Sequence, residues 1–219
     1  MTTGVHDGPG GRRGRPPVTE EQRRRQRLAI SREAVELFRR HGVTETTGEQ
    51  IARAAGVSER TLWRLFRAKE ACVEPLLSVS LDAFTEVLRS WPMSAELGEH
   101  LRTAYLVSSE DMRAVLAVVR MSRDEPAIRA TWLVLHERAE PVFAAVLGGR
   151  LGLPAEDPTI RVRAAAVNAA LRVLTDDLAW EVASDPAVLD DLSGPMFDEH
   201  RARLAEELRT LTELPARRA

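Results

Sequence analysis

The sequence predicts an all-α protein of about nine helices, in which a three-helix N-terminal unit precedes a larger helical bundle. Three observations carry that expectation. Apolar residues recur at helical spacing along most of the chain, and no stretch alternates with a period of two for long enough to make a strand. Breaker clusters punctuate the pattern at Trp91-Pro92, Glu125-Pro126, Leu147-Gly148-Gly149 and Pro154 to Pro158. With 219 residues, 44% of them hydrophobic, the chain is long enough to bury a core in one small and one larger domain.

Residues 1–18 are rich in glycine, proline and arginine without hydrophobic periodicity, and read as a flexible basic arm centred on Arg12, Arg13 and Arg15. Helical structure is expected from Thr19, a cap residue with Gln22 three positions on, a capping-box pair. Ile30, Ala34, Leu37 and Phe38 then make one apolar stripe on a first helix that His41-Gly42 ends. Arg23, Arg24, Arg25 and Arg27 cluster near its start, where cations oppose the helix dipole, so a contact is expected to hold them there. Thr47 with Gln50 opens a short second helix, Gly56 breaks it, and Ser58 caps a third running to about Phe66. A fourth helix is expected from Lys69. The resulting division is 1–18, 19–68 and 69–219.

Charge divides the same way. Residues 1–70 hold 15 Arg and Lys against 9 Asp and Glu, a net +6, whereas the remainder is −8. That asymmetry suits a polyanion-binding end on a body with no such partner. The sole cysteine, Cys72, excludes an intrachain disulfide and a Cys-based zinc site. No apolar run approaches the roughly 20 residues of a membrane span and the N-terminus lacks an apolar leader, so the expectation is a cytoplasmic protein. Catalysis finds little material: Asp176-Asp177, Glu156-Asp157 and His136 form no recognisable set, and neither a nucleophile elbow nor a phosphate loop nor a His-x-x-x-His pair is present. No cofactor or metal is expected.

From Gly48 to Phe66 the sequence has the logic of a helix-turn-helix. Ala52 fits a close helix crossing, Gly56 the positive φ of the turn, and Ile51, Ala55, Val57, Leu62 and Leu65 the small core. Burying that core turns Arg60, Thr61 and Arg64 outward, where they can enter a major groove.

On Ile30, Ala34, Leu37-Phe38, Gly42, Thr46-Thr47, Ile51-Ala52, Ala55 to Ser58, Thr61-Leu62, Phe66, Lys69-Glu70 and Leu76-Leu77, in that order and spacing, residues 22–77 resemble the TetR family of transcriptional regulators. The resemblance implies that the first three helices bind DNA. The fourth would join them to a helical ligand-binding and dimerisation domain, in what is usually a repressor released by a small molecule. Carried over by position, it makes Arg60, Thr61 and Arg64 groove-facing, puts Thr47 on a phosphate through its amide or hydroxyl, and sends Lys69 to the DNA backbone. Trp63 stands where a tyrosine often touches phosphate, and its indole would either donate the same bond or pack on sugar. Ala68 stands where a serine often caps the fourth helix, so a frayed start is expected. Arg12, Arg13 and Arg15 would either follow a minor groove or serve as a solvated tail.

The body offers bulky apolar walls for a largely apolar effector: Trp91, Tyr105, Met121, Trp132 and Phe143, with His136 and Asn168 as polar anchors. If the resemblance holds, the last two long helices, about 159–182 and 195–214, form a homodimer interface, with small residues at Ala164, Ala165, Ala166, Ala169 and Ala170 and an apolar stripe at Leu171, Leu174 and Leu178. The expected partners are therefore operator DNA, a second copy and a small effector.

Overall fold

A computed structural model describes residues 19–105 and 107–212, and among these nine α-helices and two 3-10 turns follow one another with no strand. Local chemistry fixes the first three. α1 (Glu20–His41) starts at the expected capping box: Gln22 N–H donates to Thr19 Oγ1 (3.1 Å) and Thr19 N–H to Gln22 Oε1 (3.0 Å). It stops at Gly42, whose φ of 81° lies in the region glycine tolerates. α2 (Gly48–Ala54) repeats the box with Thr47 and Gln50, and α3 (Glu59–Leu65) is capped by Ser58. Between them Gly56 takes the expected positive φ, 64°. Ile30, Ala34, Phe38, Ile51, Ala52 and Leu62 are buried, and Ala55, Val57 and Leu65 close the edge of that small core.

The fourth helix departs from expectation at its start. Glu70–Val73 is a 3-10 turn, and α4 proper spans Glu74–Ser90. Pro75 explains the change, because it has no N–H to reach the Ala71 carbonyl in an α ladder; Glu74 N–H takes that oxygen instead. No side chain caps either Lys69 or Val73. Even so, this junction is not exposed, since Cys72, Val73, Leu76 and Leu77 are all 0% exposed. Burial pushes the Cys72 thiol up to about 12, so it stays protonated and unreactive.

Charged side chains tie α1 to the helices beyond the junction. Arg32 makes a two-pronged pair with Asp111 (2.8 and 2.9 Å), and the pairing raises the Arg32 pKa. Arg24 pairs with Asp82, and Arg27 with Glu74, which also takes Arg138. Arg27 further sits 5.0 Å over the Phe66 ring. Of the four arginines near the helix start, Arg24 and Arg27 thus contact the body, while Arg23 and Arg25 pair with Glu20 and Glu21 of their own helix. Lys69 acts on the other side of the junction. Its ammonium donates to the carbonyls of Val43 (2.7 Å), Thr44 (2.9 Å) and Thr46 (2.8 Å), holding the α1–α2 loop against the start of the body.

The remaining helices are α5 (Leu97–Ala104), α6 (Ser109–Met121), α7 (Pro126–Leu151), α8 (Pro158–Ser184) and α9 (Pro195–Thr212), with a 3-10 turn at Pro186–Asp190 before the last. α7 runs straight through Leu147-Gly148-Gly149, where the sequence suggested a break. Gly148 is there for a close approach, since a Cβ on it would lie 2.7 Å from the Leu153 carbonyl oxygen; the stop comes at Gly152, at φ 69°. No helix among the described residues is long and apolar enough to cross a membrane.

Two outcomes follow from this junction. Replacing Lys69 by methionine leaves three loop carbonyls without their cation, and urea unfolding is expected to show a loss of about 2 kcal/mol; an unmoved midpoint would refute the clamp. Arg32→Ala strands the Asp111 carboxylate, which is only 10% exposed, and is expected to cost about 1–3 kcal/mol after allowance for solvent at the arginine. The double variant Arg32→Met with Asp111→Leu should recover most of that loss in the same measurement.

Candidate functional site

α3 presents a charged face because its other face is committed. Leu62 is fully buried, and the helix period then turns Arg60 and Arg64, four apart, to solvent on one side. Neither arginine is in an ion pair with a described residue. Thr61 sits half-buried between them, its hydroxyl 3.0 Å from Ser58 Oγ. Trp63 is 44% exposed and packs flat on the start of α2, where a Cβ at Gly48 would fall 2.0 Å from its Cζ2. Gly48 is therefore the glycine that lets α2 and α3 close, a role the sequence reading did not assign.

Two expected phosphate contacts meet a different arrangement. The Thr47 amide already donates to Gln50 Oε1 at 2.7 Å, and its hydroxyl accepts from Gln50 N–H, so only the hydroxyl proton is left to donate outward. All three Lys69 donors are taken by loop carbonyls, an arrangement that fixes α2 relative to α4. Arg12, Arg13 and Arg15 lie outside the described residues.

In the body, the seven expected pocket residues do not gather around one space. Trp132 and His136 pack edge to face with centroids 4.0 Å apart, and His136 Nδ1 lies 2.6 Å from Asn168 Oδ1. Asn168 Nδ2 donates to the His136 carbonyl and to Glu140, which makes its Oδ1 the acceptor and assigns the Nδ1 proton to His136. Burial holds His136 down to about 4, hence neutral. Phe143 meets Phe84 edge to face at 5.7 Å. These four are core and α7–α8 packing. Met121 is half-buried against the same core, and Trp91 lies under the Arg150 guanidinium at 3.4 Å, with its indole N–H on the Ala95 carbonyl.

Tyr105 alone of the seven lines a cavity of about 240 Å³ where α4, α5, α6, α8 and α9 converge. Its hydroxyl pairs with Ser80 at 2.9 Å, and burial raises its pKa. Apolar walls come from Phe84, Met112, Leu116, Leu171 and Phe197, while Thr175, His200 and Arg201 add polar groups. Sequence reasoning missed most of these, because residue type does not reveal where five helices diverge.

Outer faces of the long helices also differ from expectation. Leu171, Leu174 and Leu178 point into the protein's own core. The exposed apolar line on α8 is instead Val162, Ala165, Ala169, Val173 and Trp180, one face of the helix. Neighbouring α7 exposes Leu133, Val134 and Val142, whereas the exposed side of α9 carries Glu199, Arg203, Glu206, Glu207 and Arg209.

Comparison with known proteins agrees with this architecture. Residues 30–76 match the family described as "Bacterial regulatory proteins, tetR family". The HTH-type transcriptional regulator TcmR of Streptomyces glaucescens is 30% identical over 206 residues, covering 85% of this chain and 91% of its own. A putative mycofactocin biosynthesis transcriptional regulator, MftR of Mycobacterium tuberculosis, is 30% identical over 128 residues, 56% of this chain and 64% of its own. Among solved structures, Salmonella enterica GusR superposes with a TM-score of 0.52 at 19% identity, over 89% of this chain and 96% of that one, which supports the fold. By its helix-turn-helix and by its 30% identity to TcmR along most of both chains, this protein belongs to the TetR family of DNA-binding transcriptional regulators, which are not enzymes.

Proposed function

We propose that the protein is a ligand-responsive repressor, working in the cytoplasm as a homodimer on a near-palindromic operator, with residues 19–68 as the DNA reader and 69–219 as the effector-binding and dimerisation body. The observation that carries the DNA reading is the solvent-facing couple Arg60 and Arg64, without an ion-pair partner among the described residues, on a helix whose other side is locked by Leu62. Arginines at that spacing suit guanine edges in the major groove, with Thr61 between them and Trp63 and the Thr47 hydroxyl on the flanking backbone. Dimerisation places two such helices in successive major-groove faces, about 34 Å apart.

For the dimer, α8 supplies the apolar half through Val162, Val173 and Trp180. Its companion in this reading is α7 rather than the expected α9, because α7 exposes Leu133, Val134 and Val142 while the outer side of α9 is charged. Effector release follows from the cavity wall. Met112 and Leu116 line it on α6, and Asp111, one residue before Met112, grips Arg32 of α1. A molecule that displaces α6 therefore moves the reader through this pair as well as through α4. A coupling of about 1–3 kcal/mol is enough to release an operator.

Gel-shift or fluorescence-anisotropy titration on the operator, at fixed salt, tests the reader. Arg60→Ala and Arg64→Ala are each expected to cost about 1–3 kcal/mol of binding with the melting temperature unchanged, and wild-type affinity in both would refute the assignment. For the interface, Trp180→Glu or Val173→Glu is expected to yield monomers in light scattering, whereas Glu206→Lys on α9 leaves the dimer intact. The reverse pattern would return the interface to α9.

A further inference from the structure

We propose that the cavity takes an amphiphilic organic anion, an apolar skeleton bearing one carboxylate, with the carboxylate on Arg201 and the skeleton between Phe84, Met112, Leu116 and Phe197. The proposal rests on reading the body as effector-binding and specifies what that effector is. Charge points to it first, because Arg102 and Arg201 line the cavity, while the carboxylates that pair with them, Glu99 and Asp198, are not part of its lining. A mostly apolar wall that offers guanidinium donors and no carboxylate favours an anion over a cation.

Hydrogen bonding points the same way. Arg201 Nη1 donates to the Leu192 carbonyl (3.0 Å) and Nη2 to Asp198 (2.7 Å), which fixes the guanidinium plane. Its Nε is buried and has no acceptor among the described residues. A buried N–H of a cation left in this state is a standing cost, and a carboxylate oxygen is the acceptor that removes it most fully. The side chain is 14% exposed, so solvent does little of that work.

His200 beside it adds no competing charge: burial, together with Arg203 and Arg201, holds it down to about 4, with Asp177 opposing weakly. As a neutral imidazole it offers one donor and one acceptor to a polar substituent. Ser80 and Tyr105 supply a hydroxyl pair in the same cavity, suited to a carbonyl or hydroxyl on the skeleton. The volume of about 240 Å³ is a little under the range usual for drug-sized ligands, so the skeleton is compact.

Isothermal titration of the full-length protein with 4-phenylbutyrate and with the matching uncharged alcohol, 4-phenylbutan-1-ol, tests the proposal. The acid is expected to bind about tenfold tighter or better, a preference that Arg201→Gln abolishes and Arg201→Lys, which keeps charge but not the Nε, reduces. Leu116→Trp, which fills the cavity, is expected to weaken both compounds. Equal binding of acid and alcohol in the wild type, lost in Leu116→Trp, would overturn the anion preference while leaving the cavity as an effector site. Failure of both compounds to bind the wild type, or binding that Leu116→Trp leaves untouched, would overturn the proposal together with the effector-site reading. Because the wild-type comparison needs no variant, a poorly folding Arg201 substitution does not blunt the test.

Discussion

The burial of Cys72, Val73, Leu76 and Leu77 at the junction between α3 and α4 is the constraint on which the rest of the structure depends. Three helices, two of them of only seven residues, enclose too little apolar surface to be stable alone. α1 therefore serves two cores, packing Ile30, Ala34 and Phe38 where the helix-turn-helix and the junction meet. Once α1 is seated there, the direction of α3 is no longer free. The orientation of Arg60 and Arg64 in space is set by packing some distance from them.

Two kinds of interaction share that junction, and they respond differently to change. The apolar seam is close-packed and moves as a unit, since a gap opened there forfeits contacts on both sides. The charged pairs around it other than the part-buried Arg32–Asp111 grip, namely Arg24 with Asp82 and Arg27 with Glu74, are longer-reaching and partly solvated. They can shift partner or lengthen at small cost. Such a junction supports a tilt of the reader about the buried seam while the charged rim rearranges, which is the geometry a switch in operator affinity needs.

Legibility in the sequence followed the range of the interactions. Both capping boxes, the stops at Gly42 and Gly56 and the outward face of α3 depend on residues within a few positions of one another, so spacing alone exposed them. Lys69 illustrates the opposite case. Nothing near it in sequence announces that its ammonium spans more than twenty residues back to three carbonyls of the α1–α2 loop, and its family position suggested DNA instead. Gly148 misled for the same reason: its small size answers to Leu153 folding back on it, not to a helix end. In the body, Trp132, Phe143, His136 and Asn168 have the chemistry of a ligand site but the placement of a core. Arg201 and His200 have the placement, and no local pattern marks them.

In the proposed reading, that placement decides which helix would yield to an effector. On α8, Asn168 is hydrogen-bonded to His136 and Glu140 of α7, and three positions later Leu171 faces the cavity. Moving α8 would break hydrogen bonds in a site that water does not reach, at a cost of about 1–3 kcal/mol for each group left unpaired. α4 is braced against α7 by Phe84 on Phe143. On the cavity side of α6, Met112 and Leu116 make apolar contacts that can slide, and Met is the most adaptable of core side chains. Pressure from within the cavity would therefore, in that reading, be taken up by α6, where Asp111, next to Met112, holds Arg32 of α1.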